Sequence, residues 1–277
     1  MMKYIDSHAH YLAKRFNRDR HKLLLDIHKN RGVEYIINST STLELEEGVK
    51  LAEKYDFVYL SIGDGCAYTS GPEGDKYISE DILASMIKLA KENKKIVGWG
   101  ENGIDFRRPE GRTKQGKENQ IYWFNRQLDA SKQAELPVVI HSGNACQTVF
   151  DILKAADLPD YGYGKGMIHS YLGTPKMALE YIEMGYLISI TGVVTHATPR
   201  GKNLAEVVKR IPLERVLIET DCPHLIPEPY DRKSRNHSGN LEFVVEKIAE
   251  IKNVSPEEVA EVTTANAKSF YRLKDTK

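Results

Sequence analysis

Six side chains able to bind a hard or borderline metal ion each stand at the end of a short aliphatic run: His8, His10, Glu101, His141, His169 and Asp221. The spacing of the first pair has a geometric reason, because residues two apart on a strand point to the same side and can hold one ion. Taken singly, any of these is more commonly a satisfied polar residue of the core. Together they are costly to bury unless a metal or a complete hydrogen-bond network pairs them. Four imidazoles and two carboxylates exceed what one tetrahedral ion accepts, so the set points to two divalent ions sharing a ligand, with Glu101 as the bridge. Two ions about 3.5 to 4 Å apart would lower the pKa of a trapped water and polarise an electrophile. Asp221 would then be both a metal ligand and the catalytic general base that takes the proton of the attacking water. Imidazole-rich ligation favours Zn, Mn or Fe over a pure Mg cage, and the residue types leave the ion open among these four.

Such groups need a scaffold that gathers strand ends. Eight apolar runs recur: Tyr4-Ile5, Tyr35 to Ile37, Val58 to Ile62, Ile96 to Trp99, Val138 to Ile140, Met167-Ile168, Tyr186 to Ile190, and Val216 to Ile218. Continuous rather than alternating apolar character suits parallel strands covered by helices. The intervals carry helix signals, including Ser255-Pro256-Glu257-Glu258 as a capping box, Thr174-Pro175 as a second start, and a helical stripe at Leu241, Val244, Val245, Ile248 and Ile251. The expectation is an α/β fold, a (β/α)8 TIM-type barrel with the metal site at the C-terminal ends of the strands, in one domain over residues 1–277. A doubly wound open sheet is the rival, and it too binds ligands at its strand C-termini. The Pro223 to Asn240 stretch, with three prolines, is long enough to be a functional loop.

The chain has 277 residues, 41% of them apolar, with 39 basic side chains against 39 acidic ones. That balance excludes a global attraction to nucleic acid or anionic lipid and leaves only local clustering. Arg107, Arg108, Arg112, Lys114 and Lys117 face one acid, Glu110; Arg200 and Lys202 follow the seventh run; Arg232, Lys233 and Arg235 follow the eighth, beside Asp231. Loops of this kind are often plainly solvated, but on the face of the metal groups they favour a nucleic-acid or other phosphate-ester substrate. His224, three residues past Asp221, could touch substrate or donate a proton. His21 and His28 read as packing residues of an outer helix, His196 and His237 as bystanders, and Cys66 and Cys222 as small buried thiols. Three cysteines without a Cys-x-x-Cys interval imply a reducing compartment. With no signal-type or membrane-spanning apolar run, the expected location is the cytoplasm, with no membrane partner; the oligomeric state stays open.

Five ordered motifs together resemble the TatD-type metal-dependent hydrolases, a branch of the amidohydrolase superfamily. Ile5-Asp6-Ser7-His8-Ala9-His10 is similar to the family's Asp-x-His-x-His, and Gly100 to Phe106 to its Gly-Glu-x-Gly-Leu-Asp-Tyr. Leu136 to Ser142 is similar to Leu-Pro-x-x-x-His, Met167 to Gly173 resembles His-x-Phe-x-Gly with Tyr171 at the Phe position, and Glu219 to Leu225 resembles Glu-Thr-Asp-x-Pro. The resemblance implies a (β/α)8 barrel, a dinuclear metal site on the six residues named above, and hydrolysis of phosphodiesters, typically DNA from an end. It also implies that Asp105 orients a ligand or loop, and that Arg235 contacts the substrate anion. Two departures bear on the substrate. Gly143 stands where many relatives carry Arg, and His237-Ser238 replaces a Glu-Pro pair. Hydrolysis of an aminoacyl ester, lactone or amide on the same site is therefore an alternative to deoxyribonuclease activity. A non-catalytic barrel that binds metal or nucleic acid is a second.

Overall fold

A computed structural model describes residues 2–69 and 78–273. Strand and helix alternate: β1 (Tyr4–Ala9), α1 (Arg20–Asn30), β2 (Val33–Thr40), α2 (Leu45–Lys54), β3 (Val58–Ile62), the single turn α3 (Cys66–Thr69) and α4 (Glu80–Glu92). Then follow β4 (Ile96–Asp105), α5 (Lys114–Ala134), β5 (Val138–Gly143), α6 (Cys146–Ala155), β6 (Gly166–Ile168), α7 (Pro175–Glu183) and β7 (Tyr186–Ile190). The chain ends through α8 (Pro199–Arg210), β8 (Val216–Ile218), α9 (Leu241–Lys252) and α10 (Pro256–Phe270).

All neighbouring strands are parallel and lie in sequence order, β1 through β8. That order has no switch point, which removes the doubly wound alternative. Backbone hydrogen bonds from Asp221 N to His8 O and from His10 N to Cys222 O join the first strand to the segment after the last one. These bonds draw the sheet into a nearly closed barrel at the end where the ligand-type residues lie.

Local chemistry explains the helix starts. Ser79, Thr113, Thr174, Thr198 and Ser255 each accept a hydrogen bond from a backbone N–H of the first turn of α4, α5, α7, α8 and α10. In α9 the stripe of Leu241, Val244, Val245 and Ile248 is fully buried, as its periodicity requires. Inside the barrel, below the site, small hydroxyl residues replace bulk. Ser7 donates to Ile218 O at 2.8 Å, Ser61 to Gly100 O at 2.7 Å, and the Tyr271 hydroxyl closes the foot on Ser7 O at 2.8 Å. These three buried hydroxyls are tolerated there because each is paired.

One strand is longer than its apolar run suggests. The fourth run stops at Trp99, yet β4 continues to Asp105 through Gly100, Asn102 and Gly103, residues that read as a turn. Glu101 consequently lies midway along a strand rather than at its end. Gly100 has φ +142°, and a Cβ there would lie 2.3 Å from Val139 O, so only glycine lets β4 pass this close to β5. No helix among the described residues is long and apolar enough to cross a membrane.

Candidate metal centre

The six ligand-type residues converge on Glu101. Its Oε2 lies 3.4 Å from His8 Nε2 and 3.5 Å from His10 Nε2, while Oε1 lies 2.8 Å from His141 Nδ1 and 3.9 Å from His169 Nε2. The two oxygens thus address different histidine pairs, the arrangement expected of a bridging carboxylate. Asp221 Oδ1 approaches His10 Nε2 at 3.2 Å and His8 Nε2 at 3.9 Å. Three sets of three side chains have donor atoms close enough to hold an ion: His8, His10 and Glu101; Glu101, His141 and His169; and His8, His169 and Asp221. A fourth set, Cys66, Asp105 and His141, lies beside them.

Each residue reaches this point for a local reason. His8 is fully buried within β1, and His10 follows two residues later. Asp221 adopts φ +52°, a left-handed conformation that aspartate tolerates better than most residues, and its N–H is tied to His8 O. Below it, the Asp6 carboxylate accepts from Thr220 N, Thr220 Oγ1 and Ser238 Oγ. Burial still lifts Asp6 to about 7. The departure at His237-Ser238 thus places a hydroxyl where it supports the loop that carries Asp221.

The electrostatics suit a cation. Burial alone would raise Glu101, but the His169 and His141 imidazoles hold it well below the ordinary carboxylate range. Burial likewise works against Asp221, and the hydrogen bond from His10 and the charge of His169 hold it at about 2. Burial opposes charge on His169, yet Glu219 and Glu101 lift it to about 10. His8 moves the other way, lowered by burial and by His169. Carboxylates held ionised among imidazole nitrogens favour a positive charge between them, as a divalent ion supplies. The Nε2 atoms of His8 and His10 lie only 3.1 Å apart, an approach that suits two lone pairs directed at one cation better than two N–H groups. The donor set fits a divalent metal.

Two carboxylates stand behind the histidines. Glu219, fully buried, accepts from His169 Nδ1 at 3.0 Å, from Ser170 N at 2.6 Å and from Ser189 Oγ at 2.7 Å. In the sequence Glu219 shows only as a carboxylate closing the apolar run Val216–Ile218, two residues before Asp221, a signal too weak to assign it a role. Asp105 accepts from His141 Nε2 at 3.2 Å and from Arg107 Nε and Nη2 at 2.6 to 3.0 Å. Against the pull of burial, the hydrogen bond from His141 and then those from Arg107 hold Asp105 well below its ordinary value. A Cβ at Gly143 would sit 2.3 to 2.5 Å from the Asp105 carboxyl atoms. Gly143 therefore makes room for the Asp105 carboxylate, which Arg107 pairs from the other side.

Beside Glu101 and His141 opens a cavity of about 250 Å³, walled by His10, Ser41, Glu44, Cys66, Arg107 and Arg108. Of the first basic cluster, these two arginines reach it. Arg112 donates to Arg107 O, Lys117 lies over the Phe106 ring, and Lys114 is exposed near Glu118. Arg235 is engaged elsewhere. Its guanidinium forms a two-pronged pair with Asp19 at 2.6 and 2.7 Å, donates to Arg15 O and stacks on Phe16. Its expected anion is thus a carboxylate of the protein. His224 follows Asp221, exposed, and is not among the residues lining the cavity. His21 bonds to Tyr55 and His28 stacks on Phe57, as packing residues do. His196 ties down Ile226 O, and burial lowers His237. Cys66 and Cys222 are buried thiols, both raised by that burial, Cys66 to about 12.

Known proteins share this architecture. The chain is 32% identical over 268 residues to an uncharacterized metal-dependent hydrolase, YabD, of Bacillus subtilis, covering 97% of this chain and 98% of that one. It is 30% identical over 273 residues to the deoxyribonuclease TATDN3 of Homo sapiens, covering 98% and 95%. The crystal structure of YJJV, a TATD homolog from Escherichia coli, superposes with a TM-score of 0.85 at 24% identity over 98% of both chains. Residues 5–272 match the family described as TatD related DNase. With that match over nearly its whole length, the chain belongs to the TatD-related DNase family of metal-dependent hydrolases.

Proposed function

We propose that the protein is a two-metal phosphodiesterase that cleaves DNA or oligonucleotides, working as one barrel domain over residues 1–277 in the cytoplasm. The observation that carries this reading is the meeting of the Glu101-centred cluster with a cavity whose wall bears two guanidinium groups, Arg107 and Arg108. The chemistry divalent ions supply when bound in such a cluster is a nucleophilic water at neutral pH and neutralisation of charge on a phosphoryl oxygen.

The chain's own residues do the rest. Glu101 offers one oxygen to each histidine pair and so sets the spacing of the cluster. Asp221, next to His10 and turned in by its left-handed backbone, accepts the proton of the attacking water at its carboxylate. Arg107 and Arg108 bind and orient the phosphate, as planar donors matched to its oxygens. A neutral ester or lactone would make no use of the positive charge that Arg107, already paired with Asp105, and Arg108 bring to the cavity wall, which disfavours the acyl-hydrolase alternative. The carboxylate pair of Glu101 and Asp221 within the histidine cluster favours catalysis over a silent binding barrel. Three free thiols suit a reducing compartment.

The test is cleavage of a labelled single-stranded DNA oligonucleotide with added divalent metal, alongside Asp221→Asn and chelator controls. Cleavage by the wild type and by neither control supports the reading. Absence of cleavage by a protein shown to carry metal, together with turnover of an aminoacyl ester or lactone, overturns it in favour of acyl hydrolysis.

A further inference from the structure

The two halves of the cluster differ behind the ligands. His169 and His141 each place the ring nitrogen not facing Glu101 against a carboxylate, Glu219 at 3.0 Å and Asp105 at 3.2 Å. Among the described residues, His8 and His10 have no such support. The carboxylates that meet them, Glu101 and Asp221, meet the same Nε2 atoms that face the cluster. Among the described residues, His8 Nδ1 is buried with no hydrogen-bond partner. A carboxylate behind a ligating imidazole fixes its tautomer and orientation and raises its basicity, and its loss costs about 10- to 100-fold in metal affinity.

From this asymmetry we infer that the two ion sites are unequal, that the β5/β6 side formed by Glu101, His141 and His169 fills first and holds its ion more tightly, and that Glu219 is the positioning residue behind it. The inference rests on the two-metal reading of the preceding section. Glu219 outweighs Asp105 for a physical reason. Its other partners, Ser170 N and Ser189 Oγ, are neutral donors, whereas the charge of Asp105 is shared with Arg107. Glu219 is also fully enclosed, so water does not compete for its lone pairs. The ion on the β1 side, held by His8, His10 and Asp221 with the second oxygen of Glu101, is the exchangeable one.

The experiment is a calorimetric titration of chelator-treated protein with Mn2+, with bound metal counted after dialysis. Wild type is expected to bind in two resolved steps and to keep about one ion after dialysis. Glu219→Gln should weaken the first step about 10- to 100-fold and leave the second within about threefold. Asp105→Asn should weaken the same step by less, and His10→Ala should remove only the second. Thermal unfolding of each metal-free variant controls for folding, and Ser189→Ala, which keeps Glu219 and removes one of its donors, provides a milder second probe expected to move only the first step. Two equal steps, a Glu219→Gln effect shared by both steps or absent from both, or loss of the tight ion in His10→Ala would overturn the inference while leaving two-metal binding intact. Binding of a single ion, or of none, overturns the two-metal reading and the inference with it.

Discussion

The mouth of the barrel has two walls rich in basic residues, and they place their charge differently. Over β2 to β4, Arg107 and Arg108 border open space beside Glu101. Over β8, the 223–240 loop is fastened to β1, to the segment after β1 and to Thr220. Asn236 donates to Thr220 O and His224 O, Ser238 to Asp6, Arg15 to Pro223 O, and Arg235 is clamped on Asp19. Both walls look alike as charge counts. Each wall pairs an arginine with a carboxylate of the chain, but Arg107, paired with Asp105, also lines the cavity beside Glu101, whereas Arg235, paired with Asp19, is not among the residues lining it, so position relative to open space and not the charge count separates the two clusters.

Substitutions at and between the two walls can break this comparison. The largest effect belongs to Asp221, at their junction: Asp221→Asn should lower turnover on DNA by at least about 10²-fold, the scale of a lost general base, with an unchanged circular dichroism spectrum. Retained turnover would remove its assigned role. On the open wall, Gly143→Ala forces a methyl against the Asp105 carboxyl and should destabilise the fold by about 1 to 3 kcal/mol in urea unfolding. No loss of stability would mean that Asp105 moves aside freely, and the Asp105–Arg107 pair would lose its importance.

Arg108→Ala, on the same wall, should raise KM for DNA about tenfold and reduce the salt dependence of binding by about one phosphate contact. A neutral ester substrate should not feel the change. The smallest effect is expected at Arg235→Ala on the closed wall: a loss of about 1 kcal/mol in thermal unfolding from a partly exposed ion pair and ring contact, with KM for DNA within about twofold. A rise in KM there to match Arg108→Ala would make the walls equivalent and return Arg235 to the substrate.

Much of this was legible in the residues. The apolar runs and capping residues act through neighbours a few positions away, so eight strands, the helix starts at Thr174 and Ser255, and the stripe of α9 could be read directly. The six ligand-type residues were also visible, because a costly polar group repeated at strand ends stands out against an apolar background. Illegible were β4 beyond Trp99, where Gly100 and Gly103 mimic a turn, and Glu219, which looks like one more acid until His169 from 50 residues away meets it.

Residue type and local spacing were enough to establish that the chain alternates strand and helix and carries a metal-type set of side chains. Only closure of the barrel decided which partners those side chains find. Sheet order excludes the open fold, Arg235 goes to Asp19 across 216 residues, and Gly143 opens the space that the Asp105 carboxylate fills. Propensity and periodicity are short-range and survive in one dimension. Charge pairing and excluded volume depend on distances between remote segments, which exist only once the chain has folded.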